Sequence, residues 1–242
     1  MKFSNAKLKL IAMLSMAALS VSFSGLVDRY FALKMFLGIM GWTSIGLYAF
    51  LITEGYRQTR NLTKYMLRVL LFAVLSALPY RYVYASTEDA LSPHFFYSAA
   101  LTAFFCLGAI ALYDRLKTPQ QKKFCVVFVC VMSFIIGLEF APYAVILTYI
   151  IHIYREKRFT EMAYYMISFM VIFALINVVF LFTTDWDRTE LYQNICMIGC
   201  ILSVPLIKKY DGTKGRNIKW IGYFYYPILL TVLLLVKLYL VK

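Results

Sequence analysis

Residues 50–68 read FLITEGYRQTRNLTKYMLR and mark the place where an apolar run stops. The run ends in a carboxylate, Glu54, followed by a glycine and a tyrosine. Four basic residues come next, at a spacing that can place them on one helix face: Arg57, Arg60, Lys64 and Arg68. Lys and Arg are typical of the cytoplasmic ends of membrane helices, but a carboxylate near the hydrocarbon boundary is costly unless it is paired or functional. The stretch therefore predicts the end of one spanning helix, the start of the next, and a functional site between them.

The composition of the whole chain is that of a membrane protein. Of its 242 residues, 62% are hydrophobic and only 15% are charged, whereas a soluble domain is nearer half apolar and a quarter charged. The net charge of +13 lies in short clusters between apolar runs, which argues against a nucleic-acid surface. We therefore expect a polytopic membrane protein, in contact with membrane lipids and with no nucleic-acid partner.

The cysteines predict neither a metal site nor a disulfide framework. All five lie inside apolar runs, and no two of them form a C-x-x-C pair. They are typical of small buried apolar residues. They are Cys106, Cys125, Cys130, Cys196 and Cys200.

The apolar runs predict an all-α fold with about nine transmembrane helices, within a range of eight to ten. A spanning helix needs roughly 17–25 mostly apolar residues. The long apolar stretch at 123–154 is interrupted by Gly137, Glu139 and Pro142, so we divide it into two short helices that are tilted or partly re-entrant. The predicted segments are 8–24, 33–53, 65–84, 94–113, 123–138, 142–154, 162–183, 189–207 and 219–240.

The first run has an alternative interpretation. Its basic start, its apolar stretch and the small residues that follow also fit a secretory signal. The next hydrophobic run begins soon afterwards, at 33. We therefore expect a first helix that is retained in the mature protein.

The charges fix the orientation of the predicted helices. With the N-terminus in the cytoplasm and nine alternating helices, most Lys and Arg residues fall on the cytoplasmic side, as the positive-inside rule requires. The C-terminus is then external. A single span in place of the middle pair would invert the downstream half and break this pattern. Carboxylates predominate in the predicted outer loops: Asp28, Glu88, Asp89, Glu139, Asp185, Asp187 and Glu190.

Several stretches in order resemble the TraX family of bacterial membrane proteins. The clearest are the E-G-Y…T-R-N…K-Y-x-x-R block of residues 54–68 and the terminal YDGTKGRNIKWIGYFYYPILL. LKLIAMLSM, FFYSAALTAFFCLGAIALYDR and PYAVILTYIIHIYREKR are similar to the segments between these motifs and before them. Because the resemblance covers almost the whole chain, we interpret residues 1–242 as a single TraX-like transmembrane domain.

The resemblance implies acyl transfer at the bacterial cytoplasmic membrane. Proteins of this family are associated with N-acetylation of pilin, so the implied donor is acetyl-CoA and the implied acceptor is an amine or hydroxyl of a peptide, pilin or glycan. No metal is implied. Phosphates of CoA suit Arg and Lys side chains. The implied CoA-binding residues are Arg57, Arg60, Asn61, Lys64 and Arg68.

The chain departs from the family at its catalytic base. The family carries an Asp-His pair in its first helix and a His in its last, where this chain has Leu19, Ser20 and Leu229. The candidate catalytic residues are therefore His94 as a substitute base, Glu54, and Tyr226 as a hydrogen-bond donor. The other histidine, His152, is interpreted as an interfacial residue.

Three functional classes remain open on the sequence alone. The first is an acyltransferase with a displaced base. The second is a non-catalytic descendant that acts as a membrane binding or assembly subunit. The third is a transporter, which the scarcity of polar residues inside the helices disfavours.

Overall fold

The computed structural model describes residues 2–84, 98–155, 158–183, 192, 195–216 and 218–240. Throughout these ranges the backbone is helical apart from connecting turns and loops, and it contains no β-strand. Six of the helices in these ranges are long and apolar enough to cross a membrane. The predicted all-α, polytopic membrane fold is therefore confirmed.

The helices of the described residues correspond to the nine predicted apolar segments. The two segments that are only partly described are 94–113 and 189–207. The helix bounds are α1 Asn5–Phe23, α2 Phe31–Gln58, α3 Leu62–Tyr84, α4 Ala99–Arg115, α5 Pro119–Ile136, α6 Tyr143–Tyr154, α7 Phe159–Thr183, the 3₁₀ helix Ile198–Leu202 continued by α8 Ser203–Lys208, and α9 Lys219–Leu240.

The middle pair, α5 and α6, is divided where the sequence predicts. Gly137 ends α5 with φ at 76°, a left-handed conformation that glycine adopts without strain. The prediction that both helices are short is wrong for α5, which has 18 residues, and holds for α6, which has 12. α5 begins early because Thr118 and Gln121 form a capping box around Pro119.

The chain forms two compact units, and α2 contributes to both. The first unit comprises Met1–Tyr48 and Tyr154–Asn217. Within it, α1 and α2 approach closely at Gly41, where a Cβ atom would lie 2.5 Å from the Cα of Leu19. Small residues at such crossings let helix backbones pack closely inside a membrane.

The second unit comprises Ala49–Ile153 and Ile218–Lys242. Within it, α3 packs against α4 and α9, and α4 packs against α5. Its core is apolar and includes Leu107 and Ile110 of α4 and Val145 of α6. Leu107, Ile110 and Val145 are buried almost completely, so this core holds α4 and α6 together.

The outward faces of the helices are apolar, as a lipid environment requires. A soluble monomer rarely exposes large contiguous apolar surface. On α5 alone, seven large apolar side chains are exposed: Phe124, Val127, Phe128, Val131, Met132, Phe134 and Ile135.

Helix ends that the charge pattern places on one side of the membrane meet within each unit. In the first unit, the N–H of Phe3 donates to the carbonyl of Lys209 at 2.7 Å, and both residues are predicted to be cytoplasmic. In the second unit, Lys237 Nζ donates to the carbonyl of Val83 at 2.7 Å, and both are predicted to be external. These contacts agree with the predicted alternation.

Candidate functional site

The connection between α2 and α3 positions the predicted cations. α2 does not end at Glu54 but continues to Gln58, and α3 begins at Leu62. Arg57 therefore belongs to α2, while Arg60 lies in the turn of residues 59–61. The prediction that the four cations share one helix face is wrong, because Arg57 lies on α2, Arg60 lies in the turn, and Lys64 and Arg68 lie on α3.

Asn61 is the N-cap of α3. Its side-chain oxygen Oδ1 accepts a hydrogen bond from the backbone N–H of Lys64 at 2.9 Å. This bond satisfies one of the amides that the first helical turn leaves without a partner. Asn61 thus fixes the start of α3, and its predicted contact with CoA stays a prediction.

Three of the four cations extend into solvent, and the fourth lies along its own helix. Arg57, Arg60 and Lys64 are exposed, whereas Arg68 is half-buried. The Nε of Arg68 donates to the carbonyl of Lys64 at 2.9 Å, and its guanidinium carbon is 6.0 Å from the ring centroid of Tyr223. The exposed cations are therefore the ones positioned for an anionic ligand; we call these three residues the cationic turn.

Glu54 is buried, with only 8% of its surface exposed. Gln58, one helical turn later on α2, donates from Nε2 to Oε1 of Glu54 at 2.6 Å. The amide thereby compensates part of the cost of burying the carboxylate. The contact stabilises the last turn of α2, from which Arg57 projects.

The glycine of the E-G-Y motif is explained by the packing of α3 on α2. A Cβ atom at Gly55 would lie 2.7 Å from Oη of Tyr65 and 3.2 Å from its Cζ. A side chain at position 55 would therefore displace the Tyr65 ring. Gly55 lets α3 pack against α2 immediately beside the cationic turn.

The tyrosine of the same motif belongs to a polar cluster that sequence reasoning missed. His152 Nε2 on α6 lies 2.8 Å from Asp114 Oδ1 on α4. The hydroxyl of Tyr56 on α2 also donates to the Asp114 carboxylate, and its ring meets the His152 ring edge-on at 5.7 Å. Asp114 therefore receives hydrogen bonds from two helices. We call Tyr56, Asp114 and His152 the Asp-His cluster.

Burial differs between the two members of the pair. The side chain of His152 is 11% exposed and that of Asp114 is 41% exposed. The second ring nitrogen of His152, Nδ1, is buried and has no hydrogen-bond partner in the part of the chain that the structure describes. The structure therefore does not support the interpretation of His152 as an interfacial residue that presents its ring to lipid headgroups. The sequence does carry one indication of this pair, because Asp114 and His152 each lie near the cytoplasmic end of a predicted helix.

A second polar cluster surrounds Glu139 in the turn between α5 and α6. Its carboxylate accepts hydrogen bonds from the N–H of Ala99 and from the side chain of Tyr80. Burial raises the pKa of Glu139 to about 8, although these two hydrogen bonds act in the opposite direction. Glu139 Oε2 and Tyr226 Oη are both buried, and neither has a hydrogen-bond partner among the described residues. Tyr226 belongs to this cluster through its electrostatic interaction with Glu139, and its role as a donor to an oxyanion stays a prediction.

The remaining predicted site positions that the structure describes, Leu19, Ser20 and Leu229, carry no imidazole. His94 lies outside the described residues. Leu19 and Ser20 are buried in the first unit, and Ser20 Oγ has no partner among the described side chains and backbone groups. Leu229, one helical turn after Tyr226, is half-buried in α9.

Comparison with known proteins places this chain in one family. The family described as TraX protein matches residues 4–237. The "Probable fimbrial assembly protein FimC, serogroup H1" of Dichelobacter nodosus is 25% identical over 250 residues, covering 98% of this chain and 97% of that protein. No solved structure matches. Since the family match extends through both compact units, the chain belongs to the TraX family.

Proposed function

We propose that this protein is an acyltransferase of the bacterial cytoplasmic membrane. It takes the acetyl group from cytoplasmic acetyl-CoA and transfers it to an amine or hydroxyl of an acceptor at the membrane. The acceptor class we favour is a pilus or fimbrial subunit, because the chain belongs to the TraX family and resembles a protein named for fimbrial assembly.

The cationic turn is the observation that carries this proposal. CoA is an anion with several phosphate groups, which Arg binds with its planar fork and Lys binds as a point charge. The cap of α3 by Asn61 and the bond between Gln58 and Glu54 fix the backbone on both sides of the turn. The cations therefore lie on a defined scaffold at the end of the protein that the charge pattern assigns to the cytoplasm.

The proposal is tested by measuring acetyl-CoA binding to the purified protein in a neutral lipid bilayer. We expect the Arg57→Ala/Arg60→Ala variant to bind acetyl-CoA about tenfold to a hundredfold more weakly, since a hydrogen bond to a charged group contributes about 1.5–3 kcal/mol. Binding by the wild type should also weaken with added salt, because exposed charges are screened.

A matched variant separates this effect from a general loss of positive charge. Lys214 and Arg216 are two exposed cations in the loop before α9, and Lys214→Ala/Arg216→Ala should bind acetyl-CoA as the wild type does. Equal binding by all three proteins would contradict the CoA site. Association with vesicles that contain phosphatidylglycerol, without any binding of acetyl-CoA, would assign the cationic turn to anionic lipid.

A second candidate function is a non-catalytic membrane subunit in pilus or fimbrial assembly. It is favoured by the burial of Leu19 and Ser20, which stand where the family carries its Asp-His pair. This candidate predicts no release of free CoA when the protein is incubated with acetyl-CoA and ethanolamine, a small acceptor with both an amine and a hydroxyl. Release above the rate in lipid alone, followed by chromatography, would exclude it.

A further inference from the structure

We propose that His152, held by Asp114, is the general base of the acyl transfer in this chain. The inference rests on the proposed function and supplies the base that is absent from positions 19, 20 and 229. It depends on the contact between His152 and Asp114, which links α6 to α4 at 2.8 Å.

The contact with Asp114 sets the orientation of the imidazole. An ionised carboxylate accepts hydrogen bonds and cannot donate them. A neutral His152 must therefore carry its proton on Nε2, which faces Asp114, and must hold its lone pair on Nδ1. Nδ1 is buried and has no donor among the described residues. An unpaired buried nitrogen costs free energy, and a substrate N–H that reaches Nδ1 would supply the missing hydrogen bond.

The environment of the ring contains groups of both signs. Asp114 and Arg115 of α4 interact electrostatically with Tyr56 of α2, whose ring meets the imidazole edge-on. The ring of Tyr113 meets the imidazole edge-on at 6.1 Å, and Lys122 of α5 lies 4.8 Å from the centroid of that tyrosine ring. Among the described residues, Asp114 is the acidic group in direct contact with His152, so it is the group that stabilises an imidazolium when a proton arrives.

The Asp-His cluster is coupled to the cationic turn through the last turn of α2. Tyr56 bonds Asp114, and the next residue, Arg57, belongs to the cationic turn. Glu54 and Gln58 brace the same helical turn. A CoA molecule whose phosphates bind the cationic turn is thus held at the same end of the second unit as the proposed base.

The reaction balances with these groups alone. The nitrogen of a neutral acceptor amine attacks the thioester carbonyl carbon and gives its proton to Nδ1 of His152. The new C–N bond forms, the C–S bond breaks, and CoA leaves as a thiolate. The imidazolium then returns the proton to the sulfur, so that the products are an amide and CoA thiol. Asp114 touches no reacting atom and is a positioning residue.

The test compares His152→Gln and Asp114→Asn with the wild type in lipid bilayers, with acetyl-CoA and ethanolamine as substrates. A general base contributes about 10²–10⁴-fold to the rate, so we expect kcat to fall by that factor in His152→Gln while acetyl-CoA binding is retained. In Asp114→Asn we expect a smaller fall, and an acidic limb of the rate–pH profile at lower pH, because the imidazolium loses its counter-ion. Added imidazole should restore turnover in His152→Ala, which a purely structural role does not allow.

Asp211→Asn is the matched control, since Asp211 is an exposed acid of the first unit that bonds Thr213; its turnover should equal that of the wild type. If the wild type turns over acetyl-CoA and His152→Gln does so at the same rate, this inference is overturned and the proposed function stands. Binding of acetyl-CoA without any turnover by the wild type would overturn both. Thermal unfolding of each variant identifies losses that come from misfolding, and the imidazole rescue decides the case if His152→Gln is unstable.

Discussion

Gly55 on α2 and Tyr65 on α3 are in such close contact that a methyl group at position 55 would lie 2.7 Å from the phenolic oxygen. The substitution Gly55→Ala should therefore force the Tyr65 ring to move. Overpacking of this kind typically costs about 1–3 kcal/mol. We expect a lower free energy of unfolding in detergent–lipid micelles and weaker acetyl-CoA binding, because the cationic turn lies directly between these two residues.

A compensating variant identifies the cause of that loss. Tyr65→Phe removes the oxygen at 2.7 Å and leaves Cζ at 3.2 Å as the nearest atom. The double variant Gly55→Ala/Tyr65→Phe should recover part of the stability, with a coupling free energy of about 0.5–3 kcal/mol. Strictly additive effects would mean that the two residues do not press on each other.

Residues 54–68 illustrate how far the sequence predicts this site. The charge pattern correctly indicated a helix boundary in this segment, because spanning helices and cationic flanks leave a strong composition signal. It placed the boundary too early, since α2 runs past Glu54 to Gln58. The bond between Glu54 and Gln58, which accompanies this extra turn, is a single side-chain contact and leaves no periodic signal.

The predicted topology is tested with reporters fused to the chain. Reporters placed after residue 158 or after residue 215 should be cytoplasmic, and one placed after residue 242 should be external, because the cations alternate with the helices in that order. Protease or alkylating-reagent access to each fusion measures the location. A cytoplasmic C-terminus would show that the chain crosses the membrane an even number of times, contrary to the predicted nine.

The stability of the protein should depend on pH through Glu139. Its pKa rises from 4.5 to about 8 on folding, so between these values the folded state binds a proton that the unfolded state has released. The resulting stabilisation is complete below pH 4.5, declines by about 1.4 kcal/mol per pH unit above it, and is lost as pH rises through about 8.

Unfolding measured between pH 5.5 and 7.5 checks this slope against two variants. Glu139→Gln keeps a neutral side chain at every pH and should flatten the decline. Glu161→Gln changes an exposed acid in the first turn of α7 and should retain it. Parallel stability curves for the wild type and Glu139→Gln would show that Glu139 is ionised in the folded protein.

The Asp-His cluster could not be predicted from the sequence. Asp114 and His152 are 38 residues apart and lie on different helices, so their contact depends on how α4 and α6 pack. The sequence placed both near the cytoplasmic ends of predicted helices. It gave no information on which faces of those helices meet, because both helices are apolar over most of their surface.

The final prediction concerns the positions where the family carries its Asp-His pair. Leu19→Asp with Ser20→His restores that pair in a place where Leu19 and Ser20 are buried and the Leu19 backbone packs against Gly41. An unpaired buried carboxylate is strongly unfavourable, so we expect a lower melting temperature and no gain in acetyl-CoA turnover. Leu19→Asn with Ser20→His is the control for charge, and it should be the more stable of the two. The restored pair is also tested in protein that carries His152→Gln. If turnover of acetyl-CoA rises there with Leu19→Asp and Ser20→His, but not with Leu19→Asn and Ser20→His, the restored pair supplies the base. This chain would then be a lapsed form of the family enzyme, and His152 would not be required.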